Sequence, residues 1–225
     1  MSMKRCTTIL CLALAASPAL AQAPTHYDGL CDASGALALD ARHFVVAGDE
    51  DNTLRIFERD RPQVLASVPL ADFLRTGKEE ADLEAGTRIG ARIYWIGSLS
   101  RDGKGRAAPA RDRLFATDIE QGSTVPTLRP VGSGPARLLD ALVASDAGRA
   151  WQLAEAARKA PEAPGGLNIE GLTHTAEGAL LIGFRNPLRQ GKALVVALRN
   201  PAQVVQGEAP EFGEAIALDL GGRGV

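Results

Sequence analysis

A chain of 225 residues, 45% hydrophobic, is long enough to bury the core of one domain. Its 25 basic and 27 acidic residues nearly cancel, which excludes the basic face that nucleic acid needs and a polybasic patch for a membrane surface. Three cysteines are too few for a disulfide-built scaffold.

The first residues read as a secretory signal. Lys4 and Arg5 come first and an apolar run from Cys6 to Ala16 follows. Ser17 and Pro18 break the run, and Ala19-Leu20-Ala21 offers small residues to a peptidase before Gln22. The run is shorter than the ~20 residues of a membrane-spanning helix. Cleavage after Ala21 would leave residues 22–225 as an exported domain, periplasmic or secreted, with no membrane span. That domain would carry 23 basic and 27 acidic residues, net charge −4, and Cys31 as its one cysteine. No intramolecular disulfide could form in it, and Cys31 reads as a small buried hydrophobe.

Beyond the signal the chain repeats. Asp32-Ala33-Ser34 is followed by Phe44-Val45-Val46-Ala47, and Asp82-Leu83-Glu84-Ala85 by Ile93-Tyr94-Trp95-Ile96-Gly97. The third copy is Asn168-Ile169-Glu170-Gly171, followed by Ala179-Leu180-Leu181-Ile182-Gly183. Ser34 to Ala47, Glu84 to Gly97 and Glu170 to Gly183 are each thirteen positions. The first unit predicts strands at 36–39, 44–47, 53–57 and 64–70. The second predicts 83–89, 93–97, 113–119 and 127–131, and the third 169–175, 179–184, 193–198 and 214–220. Short apolar strands joined by Gly, Asp and Asn turns are hairpin chemistry. Four of them in roughly 40 to 50 residues is the size of a propeller blade. The expected fold is all-β, a β-propeller-like repeat of four-stranded antiparallel blades, with three blades at about 32–70, 82–131 and 168–220.

Residues 133–160 predict a two-helix insertion between the second and third units. Ser133 is placed to cap the first helix, with Pro135 in its first turn and Leu138, Leu139, Leu142 and Val143 as an apolar stripe. The second helix is expected from Ala147 to Lys159, with Trp151, Leu153 and Ala157 inward. Pro161 to Gly166 then return the chain to strand.

Several of these motifs together resemble the bacterial family catalogued as domain of unknown function 3616. They are Cys31-Asp32-Ala33-Ser34, Asp49-Glu50-Asp51-Asn52, Asp82-Leu83-Glu84, Tyr94-Trp95-Ile96-Gly97-Ser98, Gly166-Leu167-Asn168-Ile169-Glu170-Gly171-Leu172 and Ile182-Gly183-Phe184-Arg185-Asn186-Pro187. The resemblance covers nearly all of the mature chain and implies a propeller-like fold with no assigned activity. The Asp-Leu/Ile-Glu-Gly element is also similar to one in esterase-like and phytase-like propellers. Ala85 stands where the family pattern has glycine. Family members continue into a further Asp-Ile-Glu copy beyond Val225, so a truncated chain is the expectation from the resemblance.

Blade topology places the starts of first strands and the loops between second and third strands on one face. Asp32, Asp82, Glu84, Asn168 and Glu170 would then meet Asp49, Asp51, Ser98, Ser100, Arg101, Arg185 and Asn186 around one mouth of the central channel. Convergent polar groups in a concavity are a ligand site by default. Two uses fit. One is a non-enzymatic binding site for an unidentified small-molecule or protein ligand. The other is a calcium-dependent hydrolase of phosphate or other esters, with the cation on Asp82, Glu84 and Glu170 and the two arginines on the anion. A third possibility is purely structural, acids pairing with Arg101 and Arg185 to pin neighbouring blades. No Gly-x-Ser-x-Gly elbow is present. His26, His43 and His174 lack zinc spacing and read as surface or turn residues, and Gly132-Ser133-Gly134 lacks the lysine of a phosphate loop.

Overall fold

The computed structural model describes residues 24–120 and 124–225. The signal-like segment 1–21 lies outside the described residues. Three four-stranded antiparallel sheets follow one another along the chain, each in simple up-and-down order. The first holds β1 (Ala33–Ala38), β2 (His43–Gly48), β3 (Thr53–Glu58) and β4 (Val64–Pro69). The second holds β5 (Leu83–Ile89), β6 (Arg92–Gly97), β7 (Leu114–Glu120) and β8 (Thr127–Pro130). The third holds β9 (Asn168–His174), β10 (Leu180–Asn186), β11 (Ala193–Leu198) and β12 (Phe212–Leu218). The all-β, propeller-like expectation is met, and strand limits differ from it by no more than three residues.

First strands stand side by side, β1 against β5 and β5 against β9, so the second sheet is sandwiched. This explains why β6 is apolar without a break. Ile93 and Trp95 join the core shared with the first sheet, while Tyr94 and Ile96 join the core shared with the third. A strand covered on both faces needs no polar alternation.

Each first strand carries a β-bulge at the same place. Pairing skips Ser34 between Ala33 and Gly35, Glu84 between Leu83 and Ala85, and Glu170 between Ile169 and Gly171. The three repeat positions are therefore structurally equivalent. The thirteen-residue register needs one correction. Past the bulge, Gly35 pairs with Ala47 and Gly171 with Gly183, but Ala85 pairs with Ile96. Gly97 instead pairs with Leu83, because the tight Gly90-Ala91 turn makes the second hairpin one residue shorter.

The insertion also differs from expectation. Ala136 pairs with Leu114 as an antiparallel bridge, so the chain is not helical there and Ser133 caps no helix. A short helix α1 (Ala71–Leu74) follows β4, and α2 (Leu139–Ala144) begins only after residue 138. Its first amides, Leu138 and Leu139, donate to the Asp112 carboxylate at 2.7 and 3.2 Å. The second expected helix is broken into α3 (Asp146–Ala150), capped by Ser145, and α4 (Leu153–Ala156). Between them Gln152 adopts φ 55°, which ends α3 and redirects the chain so that Trp151 and Leu153 both reach the core.

Two smaller readings change. Cys31 is exposed, because it precedes β1 rather than lying within a sheet. His43 is buried, its Nδ1 2.9 Å from Asp40 in the β1–β2 turn. Among the described residues no helix is long and apolar enough to cross a membrane.

Candidate ligand-binding cleft

A bulge adds one residue to a strand and re-aims its side chain. Here three equivalent bulges send Ser34, Glu84 and Glu170 into one cleft of about 610 Å³. The strand openings add Asp32, Asp82 and Asn168. The connections between second and third strands add Asp49, Ser100 and Arg111, the end of β10 adds Arg185, and Pro161 and Glu162 close one rim. Convergence of first-strand starts and second-to-third connections on one face is as expected from the repeat.

Asp82 is the most enclosed of the acids, 8% exposed, with its backbone at φ 53° just before β5. Its carboxylate accepts from the Ser98 hydroxyl and faces Arg111 Nη1 at 2.7 Å. Ser98 Oγ lies 2.9 Å from Ser100 Oγ, and the Ser100 hydroxyl donates to the Arg101 carbonyl at 2.7 Å. Burial pushes the Asp82 carboxyl upward, against the pull of Ser98 and Arg111. Glu170 accepts from Asn168 Nδ2 at 2.8 Å and from Arg185 Nη1 at 3.2 Å. Arg185 also lies 3.9 Å from Glu162.

Glu84 is different. No ion pair or hydrogen bond reaches its side chain among the described residues. Burial first, then the charges of Asp82, Glu170 and Asp49, push its carboxyl up to about 8, with Arg111 as a weak counterweight. At neutral pH it holds a proton. Asp49 Oδ1 is buried without a hydrogen-bond partner, and Asp32 has no ion pair among the described residues. Arg111 and Arg185 thus pair with Asp82 and Glu170, while Asp32, Asp49 and Glu84 have no ion pair among the described residues.

Four residues expected at the site do not line the cleft, and one of them, Ser98, is fully buried against Asp82. Asp51 is taken by Arg55 on β3, at 2.5 Å. Arg101 turns away to the Ala157 and Gly105 carbonyls, at 2.9 and 3.1 Å, and so anchors the helical insertion instead of pairing with an acid. Asn186 donates to the Pro161 carbonyl at 3.1 Å, tying the end of β10 to the cleft rim. Arg111 was not legible in the sequence. It lies in a short 3-10 turn, Pro109–Arg111, and no repeat marks it. Its one signal was an arginine shortly before the third strand of the middle unit.

Calcium takes six to eight oxygen ligands. Among the described residues no group of three or more His, Cys, Asp or Glu is gathered to hold a metal ion. Asp82 and Glu170 are each engaged by an arginine, so the set Asp82, Glu84 and Glu170 is not arranged around one such ion.

The fold and the cleft define a propeller-like stack with an acid-rich opening where its three first strands begin. No family model and no curated protein matches the chain. Eight solved chains match it. One is a luciferin-regenerating enzyme, 9% identical with a TM-score of 0.31, the match covering 83% of this chain and 62% of that one. This chain thus spans less than two thirds of that neighbour's length.

Proposed function

We propose that the protein is a non-enzymatic binding protein for a small organic cation, held in the cleft by Glu84, Asp49 and Asp32. One observation carries this reading. Glu84 is half-buried, crowded by like charges and without a partner among the described residues, so its carboxyl is held up to about 8. A ligand ammonium or guanidinium would supply the missing charge and the donors that Glu84 and Asp49 lack. A cleft of about 610 Å³ is of small-molecule size, within the ~300–1,000 Å³ of ligand pockets. The hydrolase reading requires a cation on Asp82, Glu84 and Glu170, which their arrangement does not favour. The signal-like order of residues 4–21 supports placing this binding outside the cytoplasm. Intact-mass analysis should then find a chain beginning at Gln22, and soluble cytoplasmic protein retaining Met1 would refute export.

Thermal shift and calorimetric titration with spermidine, agmatine, Ca²⁺ and, as an anionic control, citrate test the binding. An amine or guanidine probe at ~100 times its dissociation constant should add ~2.7 kcal/mol. Because binding displaces the Glu84 proton, affinity should rise as pH increases towards 8 and be lost in Glu84→Gln. Citrate binding better than the amines, or no amine or guanidine binding at any pH from 6 to 9, would overturn the reading.

A further inference from the structure

The repeat predicts Arg101 at the acid-rich mouth, and the structure sends it elsewhere. It lies in the connection between β6 and β7, where Leu99 takes up φ 54° and its amide donates to the Arg111 carbonyl at 3.3 Å. That bond pins the loop shut at its base. Arg101 reaches out of the loop to the Ala157 carbonyl, just past α4, at 2.9 Å. Between the loop and the helical insertion lies a second pocket of about 210 Å³, which shares only Ser100 with the lining of the acid-rich cleft.

The walls of this pocket are mostly apolar. Leu99 belongs to the core, Leu139 and Ala157 pack against it, and Ala107, Ala108 and Pro109 form the outer wall. The polar groups are unequally satisfied. Asp112 is buried with both oxygens engaged: Oδ1 accepts from the Leu138 and Leu139 amides, and Oδ2 from Arg137 Nε at 3.3 Å. The Ser100 hydroxyl is spent on the Arg101 carbonyl. Arg101 has no ion pair among the described residues, and its Nε and Nη1 go to the Ala157 and Gly105 carbonyls. Arg137, its side chain 63% exposed, stands at the mouth. Among the described residues no hydrogen bond engages Nη2 of Arg101 or either Nη of Arg137. Cationic donors are therefore left over, and the acid has no acceptor to spare.

We propose that this pocket binds a small carboxylate with a short apolar tail, its oxygens on Arg101 and Arg137 and its tail against Leu99, Leu139 and Ala108. The planar fork of a guanidinium matches the two oxygens of a carboxylate. A guanidinium set among apolar groups without an acid lacks the charge that offsets its desolvation, and this ligand supplies it. An ammonium ligand would find neither a free acceptor nor a counter-charge. Phosphate would have to shed its water against apolar walls. At ~30 Å³ for each water-sized volume, the pocket of about 210 Å³ holds about seven non-hydrogen atoms, which suits a monocarboxylate of about four to six carbons. The site uses no property of the acid-rich cleft and stands if cation binding there fails.

Amide-resolved NMR titration of the full chain with butyrate and hexanoate tests this, with butyramide as the uncharged control. Ligands of this size should saturate with a Kd of ~0.1–10 mM. The amides of residues 99–108, 138–139 and 157 should shift, and those of the cleft residues 168–170 and 185 should stay in place. Butyramide should bind about tenfold more weakly, having lost the charge on its hydrogen bonds. Ala108→Leu, which fills the pocket, should abolish the shifts. Arg137→Gln, at an exposed position, should weaken binding about tenfold with an unchanged circular dichroism spectrum. No saturable shift at concentrations well above that range, shifts centred on the cleft residues, butyramide binding as tightly as butyrate, or a folded Ala108→Leu or Arg137→Gln variant that binds as tightly as the parent would each overturn the proposal.

Discussion

Replacing Glu84 with glutamine should leave stability unchanged at pH 5 and raise it at pH 9. The carboxyl titrates near 4.5 in the unfolded chain and at about 8 in the folded one. Between those values the folded protein keeps a proton that the unfolded chain has released. Stability therefore falls as pH rises through this window, and the loss is complete above 8. At ~1.36 kcal/mol for each unit of pH, the full displacement would amount to about 5 kcal/mol. One side of Glu84 faces the open cleft, where water screens its neighbours, and about 2 kcal/mol is the discounted expectation. Glutamine keeps the shape of the protonated acid and cannot ionise, so the variant should escape that loss. For a chain of this size the difference is ~4–8 °C in Tm. Thermal and urea unfolding of parent and variant at pH 5, 7 and 9 read it directly. Parallel pH profiles would show that Glu84 is solvated like any surface acid, and the electrostatic account of the cleft would fail with it.

Two further outcomes follow from the same geometry. Arg111→Met leaves Asp82 enclosed without its cation and should cost ~3 kcal/mol in urea unfolding at pH 7, most of it recovered by adding Asp82→Asn; an unchanged midpoint would mean that the pair contributes nothing. Asp112→Ala removes the acceptor for the Leu138 and Leu139 amides and should cost ~1–2 kcal/mol, the usual loss for a helix cap, whereas Ser133→Ala should cost almost nothing by the same thermal assay.

Local chemistry alone determined the strands. Short β-branched and aromatic runs between Gly, Asp and Asn turns have few other ways to satisfy their backbone, and the repeated acid at each strand start marked the units and the face on which they open. That Glu84 and Glu170 are equivalent was legible because a bulge recurs in each unit and carries its residue with it. The helical insertion was legible as helical but not in its limits. Ser133 and Pro135 look like a helix start until Ala136 finds Leu114, distant in sequence, and Asp112 supplies the cap from another loop. The cleft divides the same way. Sequence spacing gathered Asp32, Asp49, Asp82, Glu84, Asn168, Glu170 and Arg185, but which acid acquires a cation depends on where long arginine side chains reach. Arg101 and Arg111 are ten positions apart on one loop, and only the packed helices and the 3-10 turn send the first to a carbonyl of the insertion and the second to Asp82. Charge pairing at a few ångströms is decided by the path of the whole chain, and it is this that leaves Glu84 unpaired.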